Sequence, residues 1–284
     1  MLSNNEDWDW RFGTKTSYWS SGVKELWSYR HLLISLVKRD FILNYKQTIL
    51  GPIWILIQPI LTLITYVLVF GKLVGISTGG IPKVLFYFSG IVLWNFFSDC
   101  FGGTSNTFRE NSHIFSKVYF PRIIMPIAVT STQFLRFLVQ LFLLLLLIAY
   151  YWLFRSLPVK FNLMFFSFPF IILLVGGMGL GWGLIFSVLS AKYRDMLNLV
   201  GLGLRLMMFA TPVIYPLISV PEEARWVVQI NPLTPLFEMF RLGLLGEGVV
   251  SVGSLVYAIL FTLITLVSAL LLFNKQGDKL IDLV

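Results

Sequence analysis

The sequence is poor in charged residues and has few of the side chains that most often bind metals. Only 13% of its 284 residues are charged and 57% are hydrophobic, whereas soluble domains are about 25% charged. A surface in contact with water needs more charge than this, so the composition excludes a soluble globular protein and a disordered chain. The single cysteine, Cys100, excludes an intrachain disulfide, and two histidines are too few for the usual His-built metal site.

The sequence also lacks the motifs of the enzymes that could act at a membrane. No stretch matches G-x-x-x-x-G-K-[ST], so the chain cannot build a P-loop for ATP. A membrane-embedded enzyme would need clustered carboxylates for metal or general-base work. The adjacent acidic pairs, Glu6-Asp7 and Glu222-Glu223, have no histidine or further carboxylate beside them in the sequence. We therefore predict a protein with no catalytic residues and no cofactor or metal of its own.

Long apolar runs predict an all-α integral membrane protein with six transmembrane helices. The third run is too long to cross a bilayer upright at about 1.5 Å per residue, so we expect it to tilt or to protrude. The predicted spans are Ile53–Phe70, Val84–Phe101, Ile123–Phe154, Phe165–Leu189, Leu197–Ile218 and Val252–Phe273.

A semi-polar stretch, Pro221–Gly248, separates the fifth and sixth predicted spans. It contains Pro232, Pro235 and a short apolar piece around Leu236–Leu245, which includes Phe237 and is too short to cross a bilayer. This pattern predicts either a re-entrant hairpin, which enters the membrane and returns on the same side, or a hairpin that lies in the interface, and we take the re-entrant form as the prediction.

The segment before the first span predicts a helix lying in the membrane interface. Lys38 and Arg39 fall on one side at helical spacing, and Leu33 and Leu36 fall on the other. A basic face opposite an apolar face is typical of interfacial helices, and the alternative is a helix packed on protein. The predicted organisation is a polar N-terminal tail (1–23), an interface helix (24–47) and a transmembrane domain (48–284).

Basic residues are unevenly divided between the two sides of the predicted membrane domain. Fourteen of the 22 Lys and Arg lie on the side of the termini and six on the other. This bias predicts that both termini are cytoplasmic. Arg136 and Arg205 lie within spans, where a charge is costly. They therefore meet either an acidic side chain or an anionic substrate, and the sequence leaves both interpretations open.

The connection between spans two and three, Phe108–Arg122, mixes charge with apolar anchors on the predicted cytoplasmic side. It carries Arg109, Glu110, His113 and Lys117. Such a segment is either a short helix that docks on a partner protein or an ordinary solvated loop.

Several separated motifs resemble those of ABC-2 type permeases that export bacterial cell-surface polysaccharides, a group with O-antigen, capsule and teichoic acid exporters. They agree in order and spacing from about Lys46 to the C-terminus. The motifs are LGPIWILIQPILTLITYVLVFGKL at Leu50–Leu73, FSGIVLWNFFSDC, REN and SKVYFPR within Phe88–Arg122, Arg194-Asp195, ATPVIYP at Ala210–Pro216 and NPLTPLFEMFR at Asn231–Arg241.

The resemblance implies a homodimer with two copies of a separate ABC ATPase, which would bind ATP and Mg²⁺. It implies a coupling helix at Arg109, Glu110, His113 and Lys117, a periplasmic gate region around Pro232, Pro235 and Phe237, and a location in the inner membrane. The expected cargo is an undecaprenyl-diphosphate-linked glycan, most simply an O-antigen. Capsule or teichoic acid export, or export of a drug or small lipid, are the alternatives. Arg136 and Arg205 are candidate contacts to the conduit or to the lipid phosphates.

Overall fold

A computed structural model describes residues 23–115, 120–155, 166–193 and 195–280, and the regular structure in these ranges is helical. Residues 1–22, which are all but the last residue of the predicted polar tail, lie outside the described residues. The helices are α1 (Val23–Ser28), α2 (Arg30–Tyr45), α3 (Trp54–Tyr66), α4 (Lys83–Ser105), α5 (Thr107–Phe115), α6 (Ile124–Arg155), α7 (Phe168–Lys192), α8 (Met196–Ala210), α9 (Glu222–Ile230), α10 (Leu233–Leu245) and α11 (Val252–Leu280).

Five helical segments of the described chain are long and apolar enough to cross a membrane. They correspond closely to predicted spans one to four and six. The segments are Gly51–Leu73, Lys83–Ser105, Ile124–Arg155, Phe168–Lys192 and Val252–Lys275. In the first of them, α3 continues directly into a π-helical stretch, Val67–Leu73.

The fifth predicted span is not confirmed as a spanning helix. Helix α8 has 15 residues, about 22 Å at 1.5 Å per residue, whereas the hydrocarbon core is about 30 Å thick. The helix ends at Ala210 because Thr211 precedes Pro212, and a residue before proline is pushed to extended backbone. Thr211 has φ −105° and ψ 142°.

The centre of the molecule is α4, which packs against α6 and α7, while α11 covers the opposite side of α7. Aromatic residues of α4 supply much of the core, and Tyr87, Phe88 and Phe97 are fully buried. By contrast, most of the surface of α3, α6 and α11 is open. An open apolar helix surface of this kind suits contact with lipid or with another membrane subunit.

Glycines on two sides of α7 allow its neighbours to approach closely. A Cβ atom at Gly183 would lie 2.4 Å from Thr104 Cβ, and one at Gly179 would lie 2.8 Å from Cys100 Cβ, both on α4. On the other side, a Cβ at Gly177 or Gly181 would meet side chains of α11 at 3.2 Å. The alternating glycines of this span therefore serve helix packing, as small residues do in membranes.

The apolar side of α2 is covered by protein. Leu36 is buried with Phe120, Ile124 and Met125 at the start of α6, and Leu33 packs against the same cluster. The surface that α2 leaves open to a membrane includes other apolar residues, namely Ile34, Ile42 and Leu43. The packing of Leu33 and Leu36 corresponds to the helix-on-protein alternative, and the interfacial position of α2 stays a prediction.

The predicted hairpin consists of two short helices, α9 and α10, joined at Asn231. The Asn231 amide donates to Thr211 Oγ1 at 2.7 Å and its side-chain oxygen accepts from the Leu233 backbone N–H at 3.0 Å. This asparagine therefore starts α10 and ties it to the end of α8. Pro232, Pro235 and Phe237 are all buried, so these predicted gate residues lie in the core of the subunit.

Candidate functional site

The predicted coupling segment begins as helix α5 with its charged side chains on the surface. Arg109 and Glu110 are exposed, while the neighbouring Phe108 is buried and stacks on Phe273 of α11 at 5.0 Å between ring centroids. Helix α5 is thus anchored to the bundle by its aromatic residue and presents charge outward. Lys117 and the side chain of His113 lie outside the described residues.

A polar cleft of about 210 Å³ lies where α2, α5 and α6 meet. Its lining includes Asp40 of α2, Glu110 of α5 and Arg136 of α6. In α2, Arg39 Nη2 lies 2.7 Å from Asp40 Oδ1. Although Glu110 as a whole is exposed, the walls of the cleft partly remove its carboxylate from water and so raise its pKa. The negative charge of Asp40 raises this pKa further, and Arg109 opposes both effects. The cleft therefore links the predicted interface helix to the predicted coupling helix through charged side chains.

Arg136 has several interaction partners within the chain, although its Nε has no hydrogen-bond partner among the described residues. Its Nη1 donates to Gln133 Oε1 at 3.1 Å, and its guanidinium lies 5.5 Å from the ring centroid of Tyr45 on α2. Asp99 on α4 interacts with it electrostatically. Burial raises the pKa of Tyr45, and the charge of Arg136 opposes this shift. This geometry favours the structural interpretation of Arg136, because its charge ties α6 to α2 and α4.

Arg205 has a different setting. It is exposed on α8, about 14 Å along the helix from Met196 at 1.5 Å per residue. Its exposed neighbours Leu202, Leu206 and Phe209 are apolar. A cation on such a surface is stable only if a group outside the described chain neutralises or solvates it.

The sequence analysis did not predict a buried ion pair in α10, since it only counted Arg241 among the basic residues of the outer side. Arg241 is 2% exposed and Glu238 is 3% exposed, with Nη1 and Oε1 3.6 Å apart. Arg241 Nη2 donates to the Val213 carbonyl at 2.9 Å, and Glu238 Oε2 accepts from the Val249 N–H at 3.0 Å. The pair therefore connects α10 with the segments that follow α8 and α10.

Arg241 also contacts α4 directly. Its guanidinium lies 3.9 Å from the ring centroid of Phe86. A Cβ at Gly90, one turn further along α4, would lie 2.8 Å from Arg241 Nη2 and 2.6 Å from the Val213 carbonyl oxygen. The sequence feature that could have indicated this site is a pair of opposite charges three residues apart in an otherwise apolar helix. The hydrophobic periodicity of the sequence did not indicate that α4 covers this pair.

The described fold, with its packed apolar helices and its exposed apolar surface, defines a multi-pass membrane protein. Residues 31–245 match the ABC-2 type transporter family, and the chain belongs to that family. It is 30% identical to the O-antigen export system permease protein RfbA of Myxococcus xanthus, over 77% of this chain and 82% of that protein. It is 27% identical to an RfbA of Klebsiella pneumoniae, over 78% and 84%. It is also 23% identical to the polysialic acid transport protein KpsM of Escherichia coli, over 87% and 94%.

These relatives are named as export permeases or transport proteins for polysaccharides. The resemblance predicted from the separated motifs is therefore confirmed. The predicted class of function, a permease of the ABC-2 type associated with polysaccharide export, is also confirmed.

Proposed function

We propose that this chain is the permease that exports an O-antigen, carried on undecaprenyl diphosphate, across the inner membrane during lipopolysaccharide assembly. The observation that carries the proposal is the order of the similarities, since the O-antigen permeases are 30% and 27% identical to this chain and the polysialic acid transporter is 23% identical. Capsule or teichoic acid export is the second candidate, and it is favoured by the larger share of the chain that the polysialic acid transporter matches. Export of a drug or small lipid is the third.

In this proposal two copies of the chain form a homodimer and each docks one ABC ATPase, which binds ATP and Mg²⁺. Both termini are cytoplasmic, so α2 lies at the inner surface of the membrane and α5 faces the ATPase. The open face of α8, with Arg205, lines the conduit between the two copies, and the hairpin of α9 and α10 lies on the periplasmic side. The geometry that supports this arrangement is the exposure of Arg109, Glu110 and Arg205.

The proposed function is tested by deleting the genes of the permease and of its partner ATPase in the host and restoring them singly and together. We expect loss of surface O-antigen with intracellular accumulation of lipid-linked glycan, and recovery only when both subunits are present. Loss of capsule with intact O-antigen would support the second candidate. Unchanged surface glycans together with a change in drug sensitivity or lipid export would support the third.

Charge reversal on α5 is expected to separate ATP hydrolysis from export. In Arg109→Glu combined with Glu110→Arg, the docking surface is altered while the buried anchor Phe108 is untouched. If docking weakens by about 1.4 kcal/mol, export at limiting ATPase falls about tenfold. Export is measured as surface glycan, and ATP hydrolysis and thermal stability are measured on the purified complex.

The matched control for this reversal is Glu223→Arg, an exposed charge change on α9. It is expected to leave coupling unchanged because α9 lies on the other side of the membrane in the proposed orientation. If the α5 variant hydrolyses ATP and exports glycan at wild-type rates, α5 is an ordinary connection.

Arg205→Gln is expected to lower export about tenfold or more without loss of thermal stability. The reason is that a guanidinium can donate paired hydrogen bonds to phosphate, which are worth about 1.5–3 kcal/mol when charged, and glutamine cannot replace them. Arg205→Lys should retain part of the activity because it keeps the charge. Arg136→Gln is the control, and it should lower stability because it leaves the network of Tyr45 and Asp99 incomplete. A stable Arg205→Gln protein with full export would eliminate phosphate contact at this position.

A further inference from the structure

A cleft of about 280 Å³ opens beside the buried ion pair of α10. Its walls are the loop 78–81 before α4, residues 216–218 after α8, the end of α10 and residues 246–249. Ile218, Glu247 and Val249 are exposed at its rim. The volume is many times the roughly 10–15 Å³ that a single water molecule needs. The cleft can therefore hold a larger group in contact with the ion pair.

Polar atoms at the base of this cleft have no hydrogen-bond partner among the described residues. They are Nε and Nη1 of Arg241 and Oε1 of Glu238. Both side chains are more than nine-tenths buried and both line the cleft. Buried donors and acceptors of charged groups are costly when unpaired. Nη1 and Oε1 already face each other at 3.6 Å within the ion pair, so a ligand group at the base of the cleft must insert beside the pair to bridge these two atoms, and Nε is the one further donor.

The charges around the cleft select the class of ligand. An anion would pair with Arg241 but would meet the carboxylates of Glu238 and Glu247, and a cation would meet the guanidinium. A hydroxyl group accepts from Arg241 and donates to Glu238 at the same time, because it has both a donor and lone pairs. Several such groups on one rigid ring are the defining feature of a neutral sugar.

Glu247 places a further carboxylate at the mouth of the cleft. Its Oε1 lies 2.9 Å from the position that a Cβ would take at Gly80, so the carboxylate lies close over the Gly79–Gly80 turn. Neither glycine has a side chain, so this turn does not cover the carboxylate, and both residues have positive φ, 66° and 97°. A second acceptor is therefore available near the rim for the hydroxyls of a ligand.

We infer that this cleft is a saccharide-binding subsite, in which hydroxyl groups of a neutral sugar residue of the exported glycan bind Arg241, Glu238 and Glu247. The inference rests on the proposed function for the identity of the glycan and for the outward orientation of the cleft. It adds a contact between the permease and the sugar chain, separate from the contact proposed between Arg205 and the lipid diphosphate.

The experiment uses a single cysteine, Val249→Cys, in a Cys100→Ser background, with the partner ATPase and the whole glycan pathway present. Labelling by an impermeant maleimide is followed in intact cells in which a hydrolysis-deficient ATPase stalls export. A glycan strand held in the conduit has an effective local concentration near the millimolar range. We expect labelling about threefold slower or more than in cells that make no glycan, because occupancy of the cleft protects the thiol.

The matched control is Val252→Cys, which is also exposed, lies three residues further along and does not line the cleft. Its labelling rate should be the same with and without glycan. Adding Glu247→Gln to Val249→Cys should remove most of the protection, while Glu222→Gln on α9 should leave it intact.

Two outcomes overturn the inference while leaving the proposed function standing. One outcome is equal labelling of Val249→Cys with and without glycan, in a strain that exports O-antigen when its transporter is not stalled. This result would show that no sugar occupies the cleft and that water alone fills it. The other is protection that is equal at Val249→Cys and Val252→Cys, which would indicate general shielding by glycan. Failure of the proposed function is recognised separately, by wild-type surface O-antigen in the deletion strain.

Discussion

Arg241→Gln is expected to lower the free energy of unfolding by about 3–5 kcal/mol, the cost of leaving one member of a buried ion pair without its partner. The loss should be large because Arg241 is 2% exposed and bonded to the Val213 carbonyl. Its removal also opens a void against Phe86 and leaves Glu238 as an uncompensated buried carboxylate. The measurement is thermal or denaturant unfolding of the purified permease in detergent.

An exposed ion pair supplies the control for this prediction. Arg39 and Asp40 lie 2.7 Å apart, with side chains 36% and 24% exposed, and Arg39→Gln should cost at most about 1 kcal/mol because water screens the pair. The double variant Glu238→Gln with Arg241→Gln should recover part of the loss, since neither charge is then unpaired. Equal losses in Arg39→Gln and Arg241→Gln would show that the α10 pair does not stabilise the fold.

Alanine at Gly183 is expected to destabilise the bundle by about 1–3 kcal/mol or more, the usual cost of overpacking a filled core. The added Cβ would lie 2.4 Å from Thr104 Cβ and 3.1 Å from the Phe101 carbonyl oxygen on α4. Neither atom is the end of a flexible side chain, so α4 and α7 must separate. Yield and unfolding of the purified protein measure the effect.

Gly253→Ala is the matched control, since a Cβ there meets nothing within 4 Å in the described structure. Its effect should stay within about 0.5 kcal/mol, as for surface substitutions generally. Combining Gly183→Ala with Gly179→Ala should add further loss, because Cys100 Cβ lies only 2.8 Å from the added atom at Gly179. A Gly183→Ala protein as stable as the Gly253→Ala protein would contradict close packing of α4 on α7.

The apolar runs predicted α4, α6, α7 and α11 closely because a spanning helix needs a long, continuous apolar segment. The same reasoning extended the fifth predicted span past the end of helix α8, and six spans stay a prediction. Its apolar composition continues past Ala210, yet Pro212 and Pro216 end the helical backbone there. Composition indicates whether a segment is apolar enough to lie in a membrane, whereas the backbone restrictions that individual prolines impose decide where the helix ends.

The sequence alone did not show which neighbours individual side chains contact. Leu33 and Leu36 define an apolar side of α2 by spacing alone, but spacing does not say whether lipid or the start of α6 covers that side. Likewise, two arginines within apolar runs appeared equivalent in the sequence. The structure separates them, because Arg136 has Gln133 and Tyr45 beside it while Arg205 is open.

The sequence by itself determined that this protein is a helical membrane protein, and its separated motifs indicated the family. These properties follow from composition and from local pattern, which each segment carries independently of the others. Only the tertiary structure decided that Arg241 is buried against Gly90 and Val213, and that a cleft with unpaired polar atoms lies beside it. Those contacts join segments far apart in the chain, and no local period of hydrophobicity records which distant neighbour will cover a charge.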